Sequence, residues 1–145
     1  MKNTSFEKLR VYRLAEKLAD EIWSIVIRWD NFARNSVGLQ LARAADSVGA
    51  NIAEGTGRGS FQDNRRFVRT ARASLYEVRH WLRRAHKRKL LSKEQVDRLK
   101  PLIDNLSPML NAYLHSVGTV SSGAEAASDE APEPVTRDEG LMTKD

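Results

Sequence analysis

RRFVRTARASLYEVRHWLRRAHKRK, residues 65–89, holds ten Lys or Arg side chains against a single acid, Glu77. Nothing in it breaks a helix. At about 100° per residue, Arg65, Arg69, Arg72, Arg79, Arg83 and Lys87 fall within about 40° of one line, with Tyr76 among them. Phe67, Val68, Ala71, Leu75, Val78, Leu82 and Ala85 fall on the far side as an apolar stripe. One amphipathic helix therefore offers an apolar face to a core and a cationic ridge to the outside, which predicts an all-α protein.

Upstream, Ser60 reads as the N-cap of this helix, with Asp63 in the first turn where a carboxylate suits the dipole. The helix is expected to run to about Leu91. Before it, Gly55-Thr56-Gly57-Arg58-Gly59 ends another helix, glycine being the residue that most readily supplies a positive φ past a helix end. Three glycines in five residues also invite a phosphate-loop reading. No Gly-Lys-Ser/Thr follows and no strand precedes, so an inter-helix turn is the better account. Its amides and Arg58 remain placed to meet a phosphate.

The helix before that turn is expected from about Ser36 to Glu54, after a polar break at residues 30–35. Val37, Leu41, Ala44, Ala45, Val48 and Ile52 make its core face, and Gly38, Ala42, Gly49 and Ala53 a small-residue strip admitting a close neighbour. Gln40, Arg43, Ser47, Asn51 and Glu54 line up as a polar stripe. Farther upstream, Phe6 to Trp29 repeats apolar residues at three- and four-residue steps. Leu14 and Ile25 widen that face to about half the cylinder, enough for two helix neighbours or an added subunit contact. Trp23 and Trp29 suit core or interface packing better than a ligand platform.

Downstream, Ser92 with Gln95 forms a capping box for a fourth helix. Its stripe from Val96 to Val117 runs straight through Pro101 and Pro108, which project opposite it, so the helix is expected to bend with its convex side to water. The bundle ends near Val117-Gly118. Residues 119–145 hold two basic and seven acidic side chains and no apolar period, and are read as a disordered acidic tail. The domain plan is thus an up-down-up-down four-helix bundle over residues 1–118 and a tail over 119–145.

Composition narrows the function. The net charge of +5 conceals 22 basic and 12 acidic side chains in residues 1–118, a body suited to polyanions or acidic proteins. With no Cys there is no disulfide, thiol nucleophile or thiolate metal site. There is no apolar signal core and no membrane-length apolar run, which predicts a soluble cytoplasmic protein without membrane contact. His80 and His86 miss the i, i+4 spacing of a helical metal pair, and no metal or cofactor is expected. Ser47 and Ser74 belong to no recognisable triad. Glu54 and Glu77 are the acids expected to be partly buried. Either has the chemistry of a general base, and a carboxylate paired with Arg is the commoner state. No catalytic residue is assigned and no enzyme is expected.

The stretch QLARAADSVGANIAEG, residues 40–55, resembles the signature of a family of bacterial four-helix-bundle proteins. They are encoded by intervening sequences within 23S ribosomal RNA genes and by free-standing genes. The resemblance rests on Gln40-Leu41, Arg43-Ala44, Ser47 and the run Asn51-Ile52-Ala53-Glu54-Gly55. It continues through Phe67, Ala71, Ser74-Leu75 and Glu77, with Leu9, Tyr12 and Ala15 upstream, and covers about residues 6–117. Ala73 stands where family members usually have Gly. The resemblance implies a homopentameric ring and kinship to the accessory variability determinant of diversity-generating retroelements, a basic pentamer that binds nucleic acid and a reverse transcriptase. In that light Gln40, Arg43, Ser47, Asn51, Glu54 and Gly55 are read as a structural motif bonding helices or subunits, the other reading being a ligand-contact pair of Asn51 and Glu54. The expected function is non-catalytic binding of nucleic acid, RNA above all, through Arg65, Arg69, Arg72, Tyr76, Arg79, Arg83 and Lys87. The alternative is a scaffold docking an acidic protein such as a reverse transcriptase.

Overall fold

The computed structural model describes Phe6 and residues 9–118; the tail expected over 119–145 lies outside the described residues. Four long helices account for most of the described chain: α1 (Arg10–Val26), α2 (Leu39–Thr56), α3 (Phe61–Lys87) and α4 (Lys93–Ser116). No strand occurs among the described residues. α1 packs mainly on α2 and α4, and α3 on α2 and α4, so the helices enclose one core. Successive helices run antiparallel, as three sets of contacts show. Gly38 lies by Val26 and Gly49 by Tyr12 and Ala15; Ser47 bonds Ser74 while Gly55 meets Asn64; Arg65 reaches Val117 and Arg72 reaches Asn111. This is the up-down-up-down bundle.

The apolar stripes become its interior. Leu18 and Ile22 of α1, Val48 and Ile52 of α2, Val68, Val78 and Leu82 of α3, and Leu99, Ile103, Leu106 and Leu110 of α4 are fully buried. The caps follow the local chemistry. Ser60 Oγ accepts from the Asp63 amide at 3.1 Å. Ser92 Oγ accepts from the Gln95 amide at 3.2 Å, and Gln95 Oε1 accepts from the Ser92 amide at 2.9 Å. Pro101 and Pro108 lie inside α4 on its exposed side, where the lost backbone bonds face solvent.

Several expectations need correction. α1 spans less than Phe6 to Trp29, and Trp23 is 56% exposed, outside the core of the bundle. Trp29, just beyond α1, donates its indole N–H to the Leu90 carbonyl at 3.0 Å, fastening the end of α1 to the α3–α4 connection. The polar break at residues 30–35 is largely helical. Asp30 caps it by accepting from the Ala33 amide at 2.9 Å, and a short turn, Asn31–Ala33, leads through a π-helical segment, Arg34–Gly38, into α2. α3 stops at Lys87, short of Leu91, and Lys89 in the following turn takes a φ of 62°.

The glycines of the α2–α3 turn also have a different reason from the one expected. Gly57 has a φ of −84°, and Gly118 is the only glycine among the described residues with a positive φ. Gly55 is required by proximity: a Cβ there would strike Asn64 Oδ1 and come within 3.1 Å of the Phe67 Cβ. Ala73, in the position where glycine was noted, is exposed, so its methyl group disturbs no contact with the core.

Candidate nucleic-acid interface

Which side of α3 faces outward is decided by its two neighbours. Its buried positions, Val68, Ala71, Leu75, Val78, Leu82 and Ala85, place the opposite, outward line about 60–70° around the axis from the line through Arg65 and Arg83. Arg66, Arg69, Ala73, Tyr76, His80 and Lys87 are exposed along this outward line, with Arg84 half-buried at its edge. Tyr76 is 39% exposed, and the Arg79 guanidinium carbon lies 5.8 Å from its ring centroid.

The expected ridge is therefore divided. Arg69, Tyr76 and Lys87 lie on the outward face. Arg72, Arg79 and Arg83 are half-buried, their long stems covering apolar surface as arginine stems do at helix seams. Arg72 donates to Asn111 Oδ1 of α4 at 3.2 Å. Arg65 departs from expectation altogether: it is 6% exposed and donates to the Val117 carbonyl at 3.0 Å, closing the end of α4. Periodicity alone did not pick out Arg66, His80 and Arg84 as outward residues. The signal that finds them is the centre of the apolar stripe.

At the N-terminal end of this face, Arg58 and Arg66 each place a guanidinium carbon 4.5 Å from the Phe67 ring centroid. Both are also anchored by acids. Arg58 bonds Glu54 at 2.6 Å, and Arg66 lies 3.4 Å from Asp63. Glu54 and Glu77 are both exposed, contrary to expectation; Glu54 pairs with Arg58, and Glu77 accepts the Trp81 indole N–H at 3.1 Å.

The polar stripe of α2 separates into two roles. Ser47 and Asn51 face the α3 seam: Ser47 Oγ lies 2.9 Å from Ser74 Oγ, and Asn51 Nδ2 donates to Ser47 Oγ at 2.9 Å and to its carbonyl at 2.8 Å. Gln40 and Arg43 are exposed. Asn51 and Glu54 thus have separate local partners. Burial pushes the Tyr113 phenol of α4 above its ordinary value, an effect that the nearby Asn64 side chain opposes.

Acids collect elsewhere. Glu16, Asp20 and Asp46 line a groove between α1 and α2, where burial first and the Asp20 charge second raise the Asp46 carboxyl above its ordinary value. A larger groove, about 750 Å³, lies between the start of the α2 region and the end of α3. Phe32, Val37, Trp81 and Leu90 give it apolar walls, and Asp30 and Arg88 stand in its lining. Phe32 is 84% exposed there. No helix among the described residues is long and apolar enough to cross a membrane.

No curated protein matches the chain. A family model described as 23S rRNA-intervening sequence protein matches residues 7–112, from before α1 to near the end of α4. The chain therefore belongs to the 23S rRNA-intervening sequence protein family.

Proposed function

We propose that the protein is a non-catalytic, oligomeric bundle that binds nucleic acid, RNA in particular, through the outward face of α3. The observation that carries this reading is the line Arg66, Arg69, Tyr76, His80 and Lys87, exposed along a helix roughly 40 Å long. Such a line can follow several phosphates, and Tyr76 offers one stacking surface. Arg72, Arg79 and Arg83 extend the positive field from the seam. Contacts of this kind give strong salt dependence and little base selectivity. Repetition of the face around an oligomer multiplies the effect, and the exposure of Trp23 (56%) and Ile27 (48%) supports self-association.

The test is titration of labelled single-stranded poly(U) at two salt concentrations with the wild type and an Arg66→Glu/Arg69→Glu/Lys87→Glu variant. Binding that weakens with salt and disappears in the variant, at unchanged helicity, supports the reading. No binding of wild type at low salt removes it. Light scattering checks the oligomer.

A second reading is favoured by the Phe32–Trp81 groove. An apolar cleft beside Arg88 and the cationic end of α3 suits an acidic protein with an apolar anchor. A partner retained from nuclease-treated lysate, and released by Phe32→Ser, would favour this scaffold role.

A further inference from the structure

We propose that the acidic segment 119–145 of the same chain lies back along the outward face of α3 and competes there with polyanions. This deepens the nucleic-acid reading by giving that face a built-in regulator, and the competition rests on that reading.

The first support is where the segment begins. Val117 and Gly118 are buried, and the Val117 carbonyl accepts from Arg65 of α3. Gly118 has a φ of 84°, a left-handed conformation that suits glycine. A Cβ on it would lie 2.9 Å from Arg65 Nη1 and 3.1 Å from the Phe61 Cβ. The chain is thus pinned at the N-terminal end of α3, where the outward face starts.

The second support is reach. Twenty-seven residues follow Gly118. Fully extended they span roughly 90 Å, about twice the length of α3, so the whole face is within range with slack. A tether of that length keeps the segment at an effective concentration on the order of millimolar.

Charge completes the case. The segment has seven acids and two bases, whereas residues 65–89 have ten bases and one acid. Within about 10 Å, the screening length near 0.1 M salt, these opposite charges attract. An acidic segment needs no specific fit to oppose another polyanion on the same surface. A cis contact costs no association entropy, so it acts at any protein concentration.

The experiment uses the full chain. One variant neutralises the segment by Glu125→Gln, Asp129→Asn, Glu130→Gln, Glu133→Gln, Asp138→Asn and Glu139→Gln, and is compared with wild type for binding of labelled poly(U). The proposal expects about tenfold tighter binding by the variant at low salt, with the difference closing as salt rises. The chain has no cysteine, so Ala73→Cys and Ala127→Cys accept a dye pair that reports proximity without nucleic acid. Energy transfer should be high at low salt and fall with added salt, with neutralisation, or with Arg66→Glu/Arg69→Glu/Lys87→Glu. Equal affinities of the two forms for poly(U), or energy transfer indifferent to salt and charge, would overturn the proposal. Transfer only between singly labelled chains when mixed would also overturn it, by assigning the contact to a second copy. If the dye pair reports docking but neither form binds poly(U), the nucleic-acid reading and the competition fall together, leaving only the contact.

Discussion

Ser47 of α2 and Ser74 of α3 meet hydroxyl to hydroxyl at 2.9 Å, and Asn51 donates to the same Ser47 oxygen. The three polar groups interrupt an otherwise apolar seam at one height, favouring a single axial register between the two helices. Ser74→Ala should destabilise the fold by about 1 kcal/mol. Ser47→Ala, which also removes an acceptor from Asn51, should cost more. Urea denaturation of the two single variants and the double variant measures the coupling, and purely additive effects would argue against a shared network.

Gly55→Ala forces a methyl group against Asn64 and Phe67. The expected loss is about 1–3 kcal/mol. Gly59 has nothing within 4 Å of the corresponding position, so Gly59→Ala should be neutral or slightly stabilising. Thermal melting of the pair distinguishes close packing from a general need for glycine in this turn.

Two arginines of α3, four residues apart, should behave oppositely. Arg65→Ala removes a buried donor to the Val117 carbonyl and should cost about 1–3 kcal/mol of stability. Arg69→Ala changes an exposed side chain and should move stability by no more than about 0.5 kcal/mol, while weakening poly(U) binding. Denaturant midpoints and binding isotherms for both variants test the division of the arginine row.

Lys89 holds a left-handed φ of 62°, a conformation that penalises a side chain. Lys89→Gly should stabilise the bundle by about 1 kcal/mol, read as a raised melting temperature. An unchanged or lowered temperature would mean that the Lys89 side chain offsets this strain.

Burial and Asp20 raise the Asp46 carboxyl above 3.8, so the folded state favours its protonated form. Above the raised value the ionised group detracts from stability, and below 3.8, where folded and unfolded chains are both protonated, that effect is absent. Asp46→Asn should therefore stabilise at neutral pH, and the difference from wild type should shrink as the pH falls through this window. Melting curves across the acid range decide it.

The features most legible in the sequence were local ones. Ser60 and the Ser92–Gln95 box act within one turn, and the stripes from Val68 to Ala85 and from Leu99 to Leu114 are periodic. The orientation of the cationic face was legible only in part, because the direction called outward depends on both neighbours of a helix. Arg65 was misread because its partner, the Val117 carbonyl, lies 52 residues away. The start of the α2 region was obscured because Asp30-Asn31 resembles a loop while acting as a cap, and because the π-helical turn shifts the apolar period. Gly55 looked like a turn residue, whereas its reason is the approach of Asn64.

The wide coil at Arg34–Gly38 has an implication for how this chain can change length. Such a coil accommodates one residue more than regular α-helix, so deleting one residue there should be absorbed by tightening, without breaking the rod. The segment before it would keep its facing, so Phe32 would still line the groove with Trp81, whereas the same deletion within regular α-helix would turn it by about 100°.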